Sequence, residues 1–260
     1  MRILFIADIF GAPGRRAVEQ ELAGIRERER LDLVVANAEN AADGVGVTSR
    51  IATRLFAAGV DAITLGNHAY RQKEVYPFLE TDARIVRPAN HATSAPGRGV
   101  TVVTAADGTS VGVVNLIGQM YLDASRSPFE VAAGLVAEAR AQAPVVLIDF
   151  HAEATSEKVA LARMLDGTVT AVIGTHTHIQ TNDAAVLPGG TAYLTDAGMT
   201  GPHDSVIGVK TDLVLRRFTT GLPVRFEPAE GDVRIEGALI ECEPAGGRAT
   251  AVETFRLSAG

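Results

Sequence analysis

Short apolar runs rich in β-branched residues alternate with segments of helical periodicity along most of the chain. Residues 2–7 read as a buried strand, because a continuous apolar run of this length fits a strand covered on both faces. Gly11-Ala12-Pro13-Gly14 turns the chain, and Val18, Leu22 and Ile25 then recur at helical spacing. Residues 31–36 predict a second strand. Thr48 is placed to cap a helix carrying Ile51, Leu55 and Phe56, and residues 61–65 predict a short third strand. Residues 72–80 read as helical. Residues 99–106 and 110–116 flank Asp107-Gly108, a strong hairpin signal. A helix over 129–143 stops before Pro144. A buried strand over 145–149, a helix through Leu165 and a strand over 169–173 follow. A second hairpin turns near Pro188-Gly189-Gly190, and the last forty residues alternate like antiparallel strands.

Repeated strand-then-helix units argue for an α/β sheet. The hairpins and the β-rich tail add antiparallel strands, so the expected architecture is a layered sandwich with helices on its outer faces. No repeat, low-complexity segment or clear linker divides the sequence, and residues 1–260 are read as a single domain. Residues 87–99, with Pro88, Pro96, Gly97 and Gly99, are the best loop candidate.

Composition narrows the setting. Of the 260 residues, 47% are hydrophobic, enough for a sizeable core, and no apolar run reaches the ~18 residues of a membrane span. The first residues lack the length and cleavage pattern of a secretion signal. The lone Cys242 has no internal disulfide partner, and a cytoplasmic location is expected. A net charge of −7 and no dense Lys/Arg stretch argue against a stable complex with long nucleic acid. They do not argue against a small phosphate ester held through bound cations.

The polar residues fall in a telling place. Asp8 follows the first strand; Asn37, Glu39 and Asn40 follow the second; Asn67 and His68 follow the third. His151, and then His176 and His178, follow the strands near 145–150 and 169–174. Each has a plain structural explanation alone: Asp8 as a turn or cap residue, Glu39-Asn40 as loop composition, His151 as a hydrogen-bonded core histidine. Those explanations do not favour five strand ends of one sheet, where the ligand sites of open α/β folds lie. Carboxylate and amide oxygens mixed with imidazole suit manganese, iron or zinc better than calcium. Two cations sharing a bridging carboxylate can activate water and neutralise a phosphoryl group.

Gly66-Asn67-His68, a later lone His151 and His176-Thr177-His178 resemble the calcineurin-like metallophosphoesterases, and more narrowly their YmdB-type branch. The matching segments are residues 6–15, Asn37-Ala38-Glu39-Asn40, Gly66-Asn67-His68, Arg87-Pro88-Ala89-Asn90 and residues 195–202. Phe10 stands where the wider superfamily has a ligand histidine, and Glu39 replaces its bridging aspartate. The branch shares both replacements, while its usual glycine before the first aspartate is Ala7 here.

The resemblance implies an α/β fold of the αββα metallophosphoesterase type and two metal ions per chain, iron or manganese first and zinc as an alternative. Asp8, Glu39, Asn40 and His178 would bind one metal. Glu39, Asn67, His151 and His176 would bind the other, with Glu39 bridging. His68 would protonate the leaving oxygen, a task that suits an imidazole, as a metal-bridging hydroxide attacks phosphorus. Small cyclic phosphodiesters, 2′,3′-cyclic nucleotides above all, are the implied substrates. A phosphomonoesterase, an RNA-acting nuclease of the same fold and a slow ligand sensor are the alternatives. No membrane partner is expected, and a homo-oligomer is allowed. Asn90 is a candidate substrate contact, whereas His91 and His203 lie in loops. Gly11 to Arg16 fits neither phosphate-binding loop pattern, and Cys242 has no nearby histidine to make it a nucleophile.

Overall fold

Ile3 and Phe5 pack into one hydrophobic cluster and Leu4 and Ile6 into another, so the first strand is covered on both faces. The computed structural model describes residues 1–259. Its elements begin β1 (Arg2–Ile6), β2 (Asp8–Ile9), α1 (Gly11–Glu29), β3 (Leu33–Asn37), α2 (Ser49–Ala58), β4 (Ala62–Thr64) and α3 (Tyr76–Thr81). Next come β5 (Val100–Thr104), β6 (Ser110–Ile117), α4 (Pro128–Arg140), β7 (Val145–His151), α5 (Thr155–Leu165) and β8 (Ala171–Thr175). The chain closes with β9 (Ala185–Val186), β10 (Ala192–Leu194), β11 (Met199–Pro202), α6 (Thr211–Thr220), β12 (Val233–Cys242) and β13 (Ala249–Ser258).

Two sheets result. One runs β2-β11-β12-β1-β3-β4, with β13 paired to β12. In it β1, β3 and β4 are parallel, and β12 returns antiparallel to β1. The other runs β5-β6-β7-β8-β10-β9. Its four central strands are parallel, and antiparallel hairpin strands close both edges. Those hairpins are the two read from Asp107-Gly108 and Pro188-Gly189-Gly190.

Alternation within the strands builds the layers. Phe5, Val35, Val113, Leu147, Ile173 and Ala238 form the core between the sheets. Leu4, Val34 and Ile63 face outward onto Val18, Leu22 and Leu55 of α1 and α2. Ile148 and Phe150 face outward on the other side onto Val136 and Leu161 of α4 and α5. The order is helix, sheet, sheet, helix, as the periodicity implies. Among the described residues no helix is long and apolar enough to cross a membrane.

Local signals behave as expected in places and differ in others. Thr48 caps α2 by accepting from the Ile51 N–H at 3.2 Å. Gly11-Ala12-Pro13-Gly14, read as a turn, is instead the first turn of α1, where proline's missing N–H costs nothing. Gly14 there lies so close to the Thr200 carbonyl that a Cβ would overlap it, which lets α1 press against β11. Residues 72–80 split into a 3-10 turn, Lys73–Val75, and the short α3 with Pro77 in its first turn. Helix α6 lies outside the elements that the sequence pattern predicts, since only Val214 on it is buried and little core pattern marks it.

Candidate metal centre

The parallel strands deliver their polar ends to one place. Asp8 opens β2 directly after β1 and is fully buried. Beyond β3, the Asn37 side chain accepts from the Glu39 N–H at 3.0 Å, a local turn that points Glu39 and Asn40 back over the sheet edge. The Gly11 N–H holds the Asn40 carbonyl at 3.0 Å. Asn67 and His68 follow β4 after Gly66, and His151 is the last residue of β7. His176 and His178 follow β8 with φ of 99° and 65°. A left-handed backbone at a non-glycine costs about 1–3 kcal/mol unless neighbours enforce it. Here the Asp8 carboxylate accepts from the His176 N–H at 3.1 Å and Asp196 accepts from the Thr177 N–H at 3.1 Å.

The side chains meet in two groups. In the first, Asn40 Nδ2 lies 3.1 Å and Asp8 Oδ1 lies 3.8 Å from His178 Nε2. In the second, His151 Nε2 lies 2.9 Å from Asn67 Oδ1, 3.0 Å from His176 Nδ1 and 3.2 Å from Glu39 Oε1. Glu39 Oε1 also lies 3.2 Å from His68 Nδ1, and Glu39 Oε2 accepts from the His68 backbone N–H at 2.9 Å. Glu39 therefore touches the second group and the residue beside the first.

The outward nitrogen of each clustered histidine faces an oxygen that can accept its proton. His178 Nδ1 lies 3.0 Å from the Ile207 carbonyl, and His176 Nε2 lies 3.1 Å from Glu153. His151 Nδ1 meets Thr175 Oγ1 at 2.9 Å, and that hydroxyl donates to Asp149 at 2.7 Å. These partners select tautomers that leave the inward nitrogens with lone pairs, the usual support of a metal-binding histidine. Asp8 Oδ1 and Glu39 Oε1 are buried with no hydrogen-bond partner among the described residues. Orphaned carboxylate oxygens are costly unless a cation answers them.

The electrostatics agree. Burial pushes the Asp8 carboxyl up, against the pull of His178 and His151. Burial opposes the Glu39 charge too, but His151 and His68 outweigh it and hold the carboxyl well below its ordinary range. Burial likewise disfavours a charged His151, yet Glu39, Asp8 and Asp149 raise its pKa to about 9. Burial and then His151 push His176 down to about 3. The carboxylates concentrate enough negative potential to draw a proton onto His151, and a proton and a metal ion compete for that same nitrogen. Ligand atoms of Glu39, His151 and His176 all lie within 4.8 Å of one another, so the residues fit a bound cation.

Residues 4–255 match the family of YmdB-like proteins. The chain belongs to the YmdB-like family. It is 45% identical over 258 residues to the 2′,3′-cyclic-nucleotide 2′-phosphodiesterase of Bacillus subtilis (strain 168), covering 99% of this chain and 97% of that one. A crystal structure of a hypothetical protein from Thermus thermophilus superposes over 100% of both chains, with a TM-score of 0.93 and 44% identity. The calcineurin-like phosphoesterase YfkN from Bacillus subtilis shares the fold at a TM-score of 0.59 and 15% identity, over 100% of this chain and 90% of that one. The YmdB-like sandwich thus has the same fold as that phosphoesterase.

Residues behind the YmdB-like cluster support it, and little in the sequence pattern marks them. Asp149, fully buried and raised to about 6 by that burial, also accepts from Asn37 Nδ2 at 2.9 Å. Lys158 of α5 forms a buried ion pair with Asp196 at 2.7 Å. The same Asp196 oxygen accepts from the Thr177 hydroxyl at 2.8 Å, and the other accepts from the Gly198 N–H at 2.9 Å. Thr195-Asp196-Ala197-Gly198 braces the His-Thr-His loop from behind.

Asn90 is not a substrate contact. It is fully buried, its Oδ1 accepts from the Ile117 N–H at 2.9 Å, and its Nδ2 donates to the Ile117 and Arg126 carbonyls at 2.7 and 3.0 Å. With both ends of the amide engaged by backbone, its role is to brace the loop. His91 packs on Tyr70 with ring centroids 5.7 Å apart, and His203 Nε2 donates to the Met199 carbonyl at 3.2 Å. Arg15 donates to the Ala41 carbonyl. Burial pushes the Cys242 thiol up to about 11, far from a reactive thiolate.

Gly66 shows how tightly the site is built. A Cβ there would overlap Glu39 Oε2 and the His151 ring. Gly66→Ala is therefore expected to displace both ligands, cost about 1–3 kcal/mol of stability and weaken metal affinity about 10–100-fold. Metal titration alongside a denaturant melt checks this, and unchanged affinity would refute the packing argument.

Proposed function

We propose that the chain is a phosphodiesterase that hydrolyses small cyclic phosphodiesters, 2′,3′-cyclic nucleotides in particular, at a pair of metal ions. The observation that carries the reading is the pair of buried carboxylate oxygens, Asp8 Oδ1 and Glu39 Oε1, that lack hydrogen-bond partners among the described residues and face the inward nitrogens of His178 and His151. Asp8, Glu39, Asn40 and His178 would hold one ion, and Glu39, Asn67, His151 and His176 the other. Iron or manganese suits this oxygen–imidazole set, with zinc also accommodated. When bound, such ions supply charge neutralisation for the phosphoryl group and activate water.

The chain's own residues carry the rest. His68 reaches the cavity beside the ligands, and its Nδ1 lies 2.7 Å from Asn40 Oδ1 and 3.2 Å from Glu39 Oε1. Both neighbours are acceptors, so Nδ1 carries a proton, and delivery of a proton from Nε2 to the leaving oxygen would use the imidazolium form, protonated at both nitrogens. Thr175, Ile207 and Glu153 keep the other histidines in position. The name of the Bacillus subtilis relative and the net charge of −7 both favour a small ester over a polynucleotide. A reducing, cytoplasmic setting suits the lone, buried Cys242.

Elemental mass spectrometry and turnover assays on one reconstituted preparation test the proposal. The expected result is two metal ions per chain and 2′,3′-cyclic AMP hydrolysed faster than p-nitrophenyl phosphate or a long RNA. Faster cleavage of the monoester or the RNA would replace the substrate class, and failure to bind metal would remove the site assignment.

A further inference from the structure

A cavity of about 460 Å³ opens directly onto His68, Asn40, His176 and His178. That volume is typical of a small-molecule site, and is more than a phosphate alone requires. Away from the histidines its wall is mostly apolar: Val45, Val206, Ile207, Val214, Phe218 and Phe226. Phe10 joins this wall to the ligands, its ring edge-on to His178 at 5.6 Å. A Cβ at Gly44 or Gly208 would crowd that ring, so both glycines keep the apolar surface intact.

Two features fix what the cavity takes. Phe218 and Phe226 stand 77% and 45% exposed at its mouth, large aromatic surfaces left for something to cover. Among the described residues that line it there is no lysine or arginine. Its charged lining groups away from Glu39 are Asp43, 3.8 Å from Arg15, and Glu227, 2.7 Å from Lys210. The wall offers stacking surface, and the cations beside it, Arg15 and Lys210, are paired with its carboxylates.

We propose that this cavity is the nucleobase subsite: the base of a cyclic mononucleotide lies against Phe218 and Phe226 while its phosphate faces the metal ligands. The inference rests on the phosphodiesterase reading above. It adds that recognition is by a flat, uncharged aromatic group and that a polynucleotide, with its further phosphates, is not the ligand. Aromatic stacking is tolerant of base identity, because every base has a π-face.

The test compares two cyclic esters with the same five-membered phosphate ring, 2′,3′-cyclic AMP and glycerol 1,2-cyclic phosphate, on the metal-loaded full-length chain. The cyclic nucleotide is expected to have a kcat/KM about 10–100-fold higher. Replacing both rings, Phe218→Ala with Phe226→Ala, should reduce that ratio about ten-fold through KM, whereas Phe218→Tyr with Phe226→Tyr should keep it. Calorimetric binding of adenosine, lost in the double alanine variant, supplies a readout independent of turnover. A ratio near one, or one unchanged by removing the rings, overturns the subsite and leaves the phosphodiesterase intact. A changed assembly mass with an unchanged ratio assigns the rings to contact with a second copy and likewise overturns it. Adenosine binding that needs both rings, in a protein that hydrolyses neither ester, upholds the subsite and overturns the phosphodiesterase reading. No adenosine binding and no hydrolysis overturn both.

Discussion

His68→Ala is expected to lower kcat on a cyclic nucleotide by about 10²–10⁴-fold, the range of a lost general acid, while metal content stays at the wild-type level. The separation follows from which atoms do what. Glu39 Oε2 is held by the backbone N–H of residue 68, which survives the substitution. The imidazole instead meets the side-chain carbonyl oxygen of Asn40 at 2.7 Å, with its ring on the cavity. A leaving group that needs no proton discriminates a proton donor from a spacer. The variant should therefore lose much less rate on bis(p-nitrophenyl) phosphate, whose phenolate departs unaided. Equal losses on both esters would mean that His68 acts by positioning Asn40, and loss of metal would mean that it supports the ligands.

The second large effect lies behind the site. Lys158→Ala is expected to destabilise the protein by about 3–5 kcal/mol, because it strands a buried carboxylate. Lys158 and Asp196 are each 1% exposed at their side chains, so water cannot answer the abandoned charge. The harm should reach the candidate metal ligands. Asp196 accepts from both the N–H and hydroxyl of Thr177, between two histidines in the left-handed region. Slackening that grip is expected to lower metal affinity about 10–100-fold. Adding Asp196→Asn removes the stranded charge and should recover part of the stability but little of the affinity. Denaturant melts and metal titrations of the single and double variants measure both quantities. A single-variant cost below about 1 kcal/mol, the scale of an exposed pair, would show that the ion pair is not what holds the loop.

The candidate ligands are readable in the sequence because each polar residue closely follows an apolar β-branched run. Parallel strands carry such ends to a common edge, and the continuous apolar runs of residues 2–7 and 145–149 already imply strands covered on both faces. The residues that escape notice obey no such pattern. Lys158 sits in a helical stretch where a lysine ordinarily reaches solvent, and only the approach of Asp196, 38 residues later, makes its burial tolerable. Asp149 and Thr175 look like ordinary strand residues until pairing of β7 with β8 sets them beside His151. Asn90 misleads in the other direction: a polar residue in a Pro/Gly loop suggests a ligand contact, but its amide serves the loop's own backbone. Helix α6 is invisible because it buries so little, and for the same reason it leaves Phe218 available at the cavity mouth.

Strand β1 carries the chain straight to Asp8, yet it is sandwiched between β3 and β12, and the residues of β12 lie more than 230 positions further along. Ile3 pairs with Ile240 and Phe5 with Ala238. At about 5–20 residues per second of synthesis, the opening residues wait many seconds on the ribosome for their neighbour. Half of this sheet can form early, but one edge of β1 stays unpaired until β12 has emerged. The strand that leads into the candidate site is therefore fully paired only after β12 is made, and a product terminated before β12 exposes an apolar strand edge of the kind that templates aggregation.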